Sequence, residues 1–277
     1  MIEIGLTTWS EHPSLLNKNK ITLAEYSSKL PVVEIDTPFY GIPTPQTTAK
    51  WVSETPKDFG FILKGHQSMT THSPWQDHYP TEKEMYERYF AMLEPLITSQ
   101  KLRGILLQFP ASFNCTAEAI LHLKRLRKIF SDLPVVIEFR HPSWYEADFL
   151  QGTLAFMKEQ EFILMVVDEP QLPGKSIPFY PIVTNKQQVI FRCHGRYQAG
   201  WTAKGDDWRK KRTLYRYNEE ELTELANALQ QIEKDCPLVT IIFNNNSGGD
   251  AAANALTLKE FLGINYEGLN PEQMDLF

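Results

Sequence analysis

Eight apolar stretches punctuate the chain, each running into a polar residue. They begin at Ile2 (IEIGLTTW), Val32 (VVEID), Gly60 (GFILKG), Gly104 (GILLQF), Val135 (VVIEFR), Ile163 (ILMVVDE), Val189 (VIFRCHG) and Thr240 (TIIFNNN). Near-continuous apolar runs of this length mark strands buried on both faces of a parallel sheet. Between them, apolar residues recur at helical spacing over 22–30, 46–55, 81–100, 116–130, 147–160, 218–234 and 251–262. Thr116 and Asn218 stand at N-cap positions, and Glu221 completes a capping-box signature with Asn218. Strand and helix alternate throughout, which predicts an α/β fold, a single (β/α)8 TIM-type barrel.

Two places break the rhythm. Between Asp168 and Val189 the stretch is rich in proline and shows no helical pattern, so one outer helix is expected to be short or missing. After the seventh strand comes a long polar insertion, HGRYQAGWTAKGDDWRKKRTLYRY. No Pro- or Gly-rich linker divides the chain, so residues 1–265 read as the barrel and 266–277 as a C-terminal tail. The length of 277 residues and 42% hydrophobic content suit one large α/β domain. A formal charge of -6 excludes a uniformly basic nucleic-acid coat but leaves room for a local basic patch. The three cysteines, Cys115, Cys193 and Cys236, lie far apart without metal-type spacing, which points to a reducing compartment. The chain shows no leader pattern and no apolar run near the roughly 18 residues of a membrane span. A cytoplasmic protein without membrane contact is expected.

Barrels of this type carry their chemistry where strands end at the C-terminal rim. There the sequence places Glu34 and Asp36, Lys64, Gln108, Glu138 and Arg140, Asp168, Arg192 and His194, and Asn244 and Asn246. Paired residues two apart share a face of their strand. A self-satisfied ion network would explain any one of them; the whole ring reads as a pocket. The cations could hold phosphate or carboxylate while Glu138 or His194 moves a proton. A divalent metal on Glu138, Asp168 and His194 is the less favoured arrangement, and no metal site is assigned. Near the last strand, NNNSGGDAAANA sets two glycines before a helix, which suits either phosphate binding by backbone N–H groups or a plain loop-to-helix junction.

The motifs EIDTPFY, KWVSETPKDFGFILK, GILLQFP, IEFRHPSW, FRCHGR and FNNNSGGDAAANA resemble, in order, those of the YecE-like family, also named domain of unknown function 72. The resemblance implies a TIM-type barrel without an established reaction. Its signature positions fall on Glu34, Thr37, Tyr40, Lys64, Gln108, Glu138, Arg140, His141, Trp144, Asp168, Arg192, His194, Gly195, Arg196, Asn244 and Asn245. Of these, Glu138, His194, Glu34 and Asp168 are the catalytic candidates. Lys64, Gln108, Arg140, Trp144, Arg192, Arg196, Tyr40, Asn244 and Asn245 are the substrate-binding ones.

The insertion interleaves Trp201, Lys204, Trp208, Arg209, Lys210, Lys211 and Arg212, cations and rings suited to tracking phosphates and stacking bases. The plainer alternative is a loop whose aromatics pack over the barrel mouth. The tail ends in QMDLF, which resembles the pentapeptide by which bacterial DNA polymerases and repair proteins dock on the sliding clamp. Gln273, Met274, Leu276 and Phe277 would make that contact, or would fold back on the outer helices. Three functions compete. The first is a hydrolase- or nuclease-like enzyme on a nucleic acid or nucleotide; the others are an enzyme on a phosphorylated or carboxylated metabolite, and a non-catalytic binding module. Cofactors and substrate are left open.

Overall fold

Among the described residues the apolar runs become nine parallel strands: β1 (Ile2–Thr7), β2 (Val32–Ile35), β3 (Gly60–Lys64), β4 (Leu102–Gln108), β5 (Val135–Glu138), β6 (Ile163–Leu164), β7 (Val166–Asp168), β8 (Gln188–Cys193) and β9 (Leu238–Phe243). The computed structural model describes residues 1–205 and 207–271, the Arg209 side chain aside. Strand order is β6-β5-β4-β3-β2-β1-β9-β8-β7. β6 and β7 are two halves of one apolar run parted by Met165, so the two sheet ends meet in neighbouring residues and the barrel is nearly closed. β6 pairs with β5, β7 with β8, and the Met165 N–H still donates to the Ile137 carbonyl at 2.9 Å.

Strand alternation sorts the apolar residues into two clusters. Val32, Ile62, Leu106, Val136, Met165, Val167, Ile190 and Ile242 pack together inside the barrel. Their strand neighbours Val33, Leu63, Leu107, Ile137, Val166, Phe191 and Ile241 pack outward under the helices. The described helices are α1 (Leu23–Tyr26), α2 (Thr37–Tyr40), α3 (Pro45–Glu54), α4 (Glu82–Thr98), α5 (Ala117–Phe130), α6 (Ala147–Glu159), α7 (Gln198–Trp201), α8 (Trp208–Arg212), α9 (Glu219–Glu233) and α10 (Ala251–Phe261). Thr116 caps α5 through the Ala119 N–H, and Asn218 with Glu221 forms the capping box of α9. α2, α7 and α8 are each five residues or fewer, too short to show a helical period.

Among the described residues no helix joins β7 to β8; residues 169–187 run as an irregular strap that sends Ile177 into the interior apolar cluster. The tail begins later than the composition suggests. The Tyr266 hydroxyl accepts the Ile4 N–H at 2.9 Å, and Asn270 is tied to α1 and to the end of α3, so residues to 270 belong to the barrel. Gln273, Met274, Leu276 and Phe277 lie outside the described residues. Among the described helices none is long and apolar enough to cross a membrane.

Candidate active site at the barrel mouth

Alternation that places Val32, Ile62, Leu106, Val136, Ile190 and Ile242 inside also aims Glu34, Lys64, Gln108, Glu138, Arg192 and Asn244 inward, one layer higher. Arg192 is the strut of that layer. Its Nε meets the Glu34 carboxylate at 3.1 and 2.9 Å and its Nη2 meets Glu34 Oε1 at 2.5 Å. Its Nη1 donates to Glu138 Oε2 at 3.1 Å and to Gln108 Oε1 at 3.2 Å. Glu34 also accepts from the Thr7 hydroxyl at 3.1 Å. All three charges are buried, which is tolerable only because each is paired and hydrogen-bonded. Glu34 and Arg192, expected to act on substrate, are therefore committed to each other and brace the mouth.

A second arginine organises the other half of the mouth. Arg140 Nε lies 2.6 Å from Glu138 Oε1, its Nη1 donates to Glu169 Oε2 at 2.6 Å, and its Nη2 donates to His194 Nε2 at 2.9 Å. A guanidinium N–H can only donate, so Nε2 of a neutral His194 is the acceptor and Nδ1 carries the proton. Asn244, 2.8 Å from Nδ1, then presents its amide oxygen, the two ends of an amide being nearly isosteric. Burial and then the Arg140 charge push the His194 pKa down to about 3, so the ring is neutral. Burial alone would raise Glu138, but Arg140 and Arg192 outweigh it and hold that carboxyl well below its usual range. Glu169 has the opposite fate: burial prevails over Arg140, and its pKa rises to about 7. Its other oxygen accepts the Ile177 N–H at 2.9 Å.

Across the mouth, Lys64 Nζ stands 3.9 Å from Asp36 Oδ1, beyond hydrogen-bond reach, and 4.5 Å from the centre of the Phe39 ring. Burial lowers its pKa below the ordinary lysine value. Tyr40 lies exposed on α2, and Asn246 binds Glu11 at 2.7 Å.

Several expected site residues fall elsewhere. Val167 points inward, so Asp168 points outward, where it accepts from Arg196 at 2.8 Å and from the Tyr217 hydroxyl at 2.7 Å. Arg196 continues outward to Glu224 on α9 at 2.8 Å. The metal grouping of Glu138, Asp168 and His194 is consequently not assembled, and no cluster of three or more such ligands occurs among the described residues. The inward carboxylate after β7 is Glu169. The run ILMVVDE is apolar on both faces, so its phase cannot be read from polarity; the neighbouring carboxylate was the signal available. Trp144 is a core residue, stacked 4.0 Å from Phe139, with its indole N–H on the Phe113 carbonyl. Asn245 points away from the mouth and ties the Tyr215 carbonyl to Asn254. Thr37 opens α2, and His141 caps the turn that follows β5 through the Ser143 N–H. Gly195 has φ 91°, and a Cβ there would meet Tyr215 at 2.3 Å, so only glycine fits. After GGD, the α10 N-cap is Asp250, whose carboxylate pairs with Arg216 and makes no capping hydrogen bond to the helix.

The insertion folds over the mouth. Trp201 is buried, its ring centre 6.3 Å from that of His194, with Arg140 on it at 5.4 Å and Arg212 at 4.7 Å. Arg212 also covers Trp208 at 4.4 Å. Trp201, expected to stack on bases, is thus packed away from solvent; Lys204, Lys210 and Lys211 remain exposed, and the expectation for the Arg209 side chain lies outside what is described.

This architecture has known counterparts. The profile of the family described as protein of unknown function DUF72 matches residues 3–275. The chain belongs to the DUF72 family. It is 40% identical to the UPF0759 protein YunF of Bacillus subtilis (strain 168), over 100% of both chains. With the UPF0759 protein YecE of Escherichia coli (strain K12) it shares 29% identity over 151 residues, 52% of this chain and 50% of that one. A crystal structure of a DUF72 family protein from Enterococcus faecalis V583 superposes with a TM-score of 0.95 at 47% identity, covering 99% of this chain and 100% of the other. DUF72 membership agrees with the motif series and the barrel.

Proposed function

We propose that the barrel mouth is the active site of an enzyme performing acid–base chemistry on a phosphate-bearing substrate, a nucleotide or nucleic acid. The observation that carries this reading is the pair Glu138 and Glu169 on one arginine. Arg140 touches both, yet one carboxyl is held ionised and the other is raised to about 7. Titratable groups whose environments drive them apart are how a site keeps a base and an acid at the same pH. Glu138 takes a proton, Glu169 gives one, and His194 holds Arg140 in register. Lys64 supplies the positive charge for phosphate, since its contact with Asp36 is long. The exposed lysines of the insertion would favour a polyanionic substrate. Recruitment through the QMDLF segment rests on its motif alone and is separate from this reading.

A thermal-shift panel of mononucleotides, oligonucleotides and non-phosphorylated carboxylate metabolites tests it. A ligand at about 100 Kd stabilises the fold by roughly 2.7 kcal/mol, a shift of several degrees. We expect shifts from phosphate-bearing compounds, lost in Lys64→Met, and turnover of the active compound reduced about 10²- to 10⁴-fold in Glu169→Gln. Shifts from carboxylate metabolites alone would move the site to the second class of substrate. Undiminished turnover in Glu169→Gln would remove the acid.

A further inference from the structure

Arg212, on α8, differs from every other arginine whose side chain is described. Each of the others donates a hydrogen bond to an oxygen acceptor. Arg212 donates none among the described residues, and its Nε is buried without an acceptor. Its guanidinium carbon lies 4.7 Å from the Trp201 ring centre and 4.4 Å from that of Trp208. Arg140 shares the Trp201 ring at 5.4 Å, so two cations meet on one indole. Burial and then the Arg140 charge lower the Arg212 pKa below the ordinary arginine value. A guanidinium stays protonated regardless, which leaves a partly desolvated charge without a counter-ion. An aromatic face offsets only part of that cost. Glu169 is the carboxyl whose charge reaches Arg212, but its two oxygens are taken, one by Arg140 and the other by the Ile177 N–H.

We propose that Arg212 is a substrate ligand, carried to the barrel mouth by the lid of α7 and α8, and that its guanidinium binds phosphate oxygens beside Arg140 and Glu169. The subsite belongs to the phosphate-binding mouth proposed above and rests on that reading. The planar fork of a guanidinium matches a pair of phosphate oxygens, and its donors here have no other use. Lys204, Lys210 and Lys211 of the same insertion are exposed, so water already satisfies them. The charges acting on Arg212 are those of Arg140 and Glu169, whereas those acting on Lys64 include Asp36, Glu34 and Glu138. The two cations therefore reach the mouth from different sides and contact different oxygens of a bound anion. An anion at Arg212 also neutralises the like-charge pair on Trp201. Binding and lid closure then favour each other by the same free energy.

The test is amide exchange of α7 and α8 in the full-length protein, in inorganic phosphate against chloride at equal ionic strength. Phosphate held only by the closed lid slows this exchange by a factor of 1 + [L]/Kd, about tenfold at about ten times the Kd. We expect that slowing in wild type, none in Arg212→Met, and an intermediate value in Arg212→Lys, which keeps the charge but not the fork. The ratio between the two salts is taken within each protein, so a lid loosened by the loss of its ring contacts does not change the outcome. Equal slowing in wild type and Arg212→Met overturns the proposal and makes Arg212 a pin for the lid alone. So does wild type that binds phosphate by calorimetry without any slowing, because the anion then sits away from the lid. Phosphate binding lost in Lys64→Met but kept in Arg212→Met would leave the phosphate site standing and remove Arg212 from it. No binding by wild type up to about 50 mM phosphate would remove both.

Discussion

Burial and Arg140 pull the Glu169 carboxyl in opposite directions, and the balance leaves its pKa at about 7 against an ordinary 4.5. A folded state that binds a proton more tightly than the unfolded chain gains stability at low pH. The gain is complete below about 4.5, the unfolded value, and is lost as pH rises through about 7, the folded one. Unfolding free energy should therefore fall across pH 4.5 to 7 by roughly 3 kcal/mol from this group alone. Glu169→Gln keeps the shape and an oxygen for Arg140 but cannot titrate. Urea unfolding at intervals from pH 4.5 to 8 should show wild type losing stability relative to the variant as pH rises. Parallel profiles would mean that Glu169 is not the buried proton-holder its surroundings make it. The same residue marks the limit of reading by type: Glu138, Arg140 and His194 betray themselves by polarity two apart on a strand, whereas Asp168 and Glu169 are adjacent and only the inward turn of Val167 separates them.

At the scale of elements, α7 and α8 have no hydrophobic face long enough to hold them independently, so cross-contacts fix their position. The column Arg140, Trp201, Arg212 and Trp208 alternates cation and ring, and the Trp201 indole N–H reaches the Lys175 carbonyl at 3.3 Å. Cation–π contacts of this kind contribute about 0.5–2 kcal/mol each, enough to hold a short segment shut without making it part of the global core. Trp201→Ala should consequently raise amide exchange over 197–213 by tenfold or more, while amides of β4, β5 and β9 keep wild-type protection. Exchange that rises equally in the strands would show that this segment unfolds with the barrel instead of opening over it. The long helices were legible because α4, α5, α6 and α9 each run thirteen residues or more with an amphipathic period. These lid helices were not, since four or five residues carry less than two turns, and the tryptophan taken for a base-stacking platform is held by groups distant in sequence.

At the scale of the molecule, the barrel interior has two storeys, an apolar one of Val32, Ile62, Leu106, Val136 and Ile242 and a charged one above it. The joint between them is sealed where the regular fold fails. With no helix between β7 and β8, the strap over 169–187 inserts Ile177 into the interior cluster and gives its N–H to Glu169. One residue thereby packs into the lower storey and hydrogen-bonds the upper one. The missing helix could be read from the prolines, but not that its replacement would plug the barrel, because the seating of Ile177 among the interior residues is a fact of three dimensions that no periodicity encodes. Ile177→Ala should cost about 2–4 kcal/mol as a cavity opens in a close-packed interior. Water admitted beside Glu169 would relieve part of the desolvation that raises it, so its pKa should fall from about 7 toward the ordinary carboxylate range. Stability and titration would then move together, one measured by urea unfolding and the other by the carboxyl carbon chemical shift of Glu169. A variant that loses stability while Glu169 still titrates near 7 would separate the plug from the site. It would assign the raised pKa to the neighbouring Glu138 charge, which also raises it, instead of to the strap.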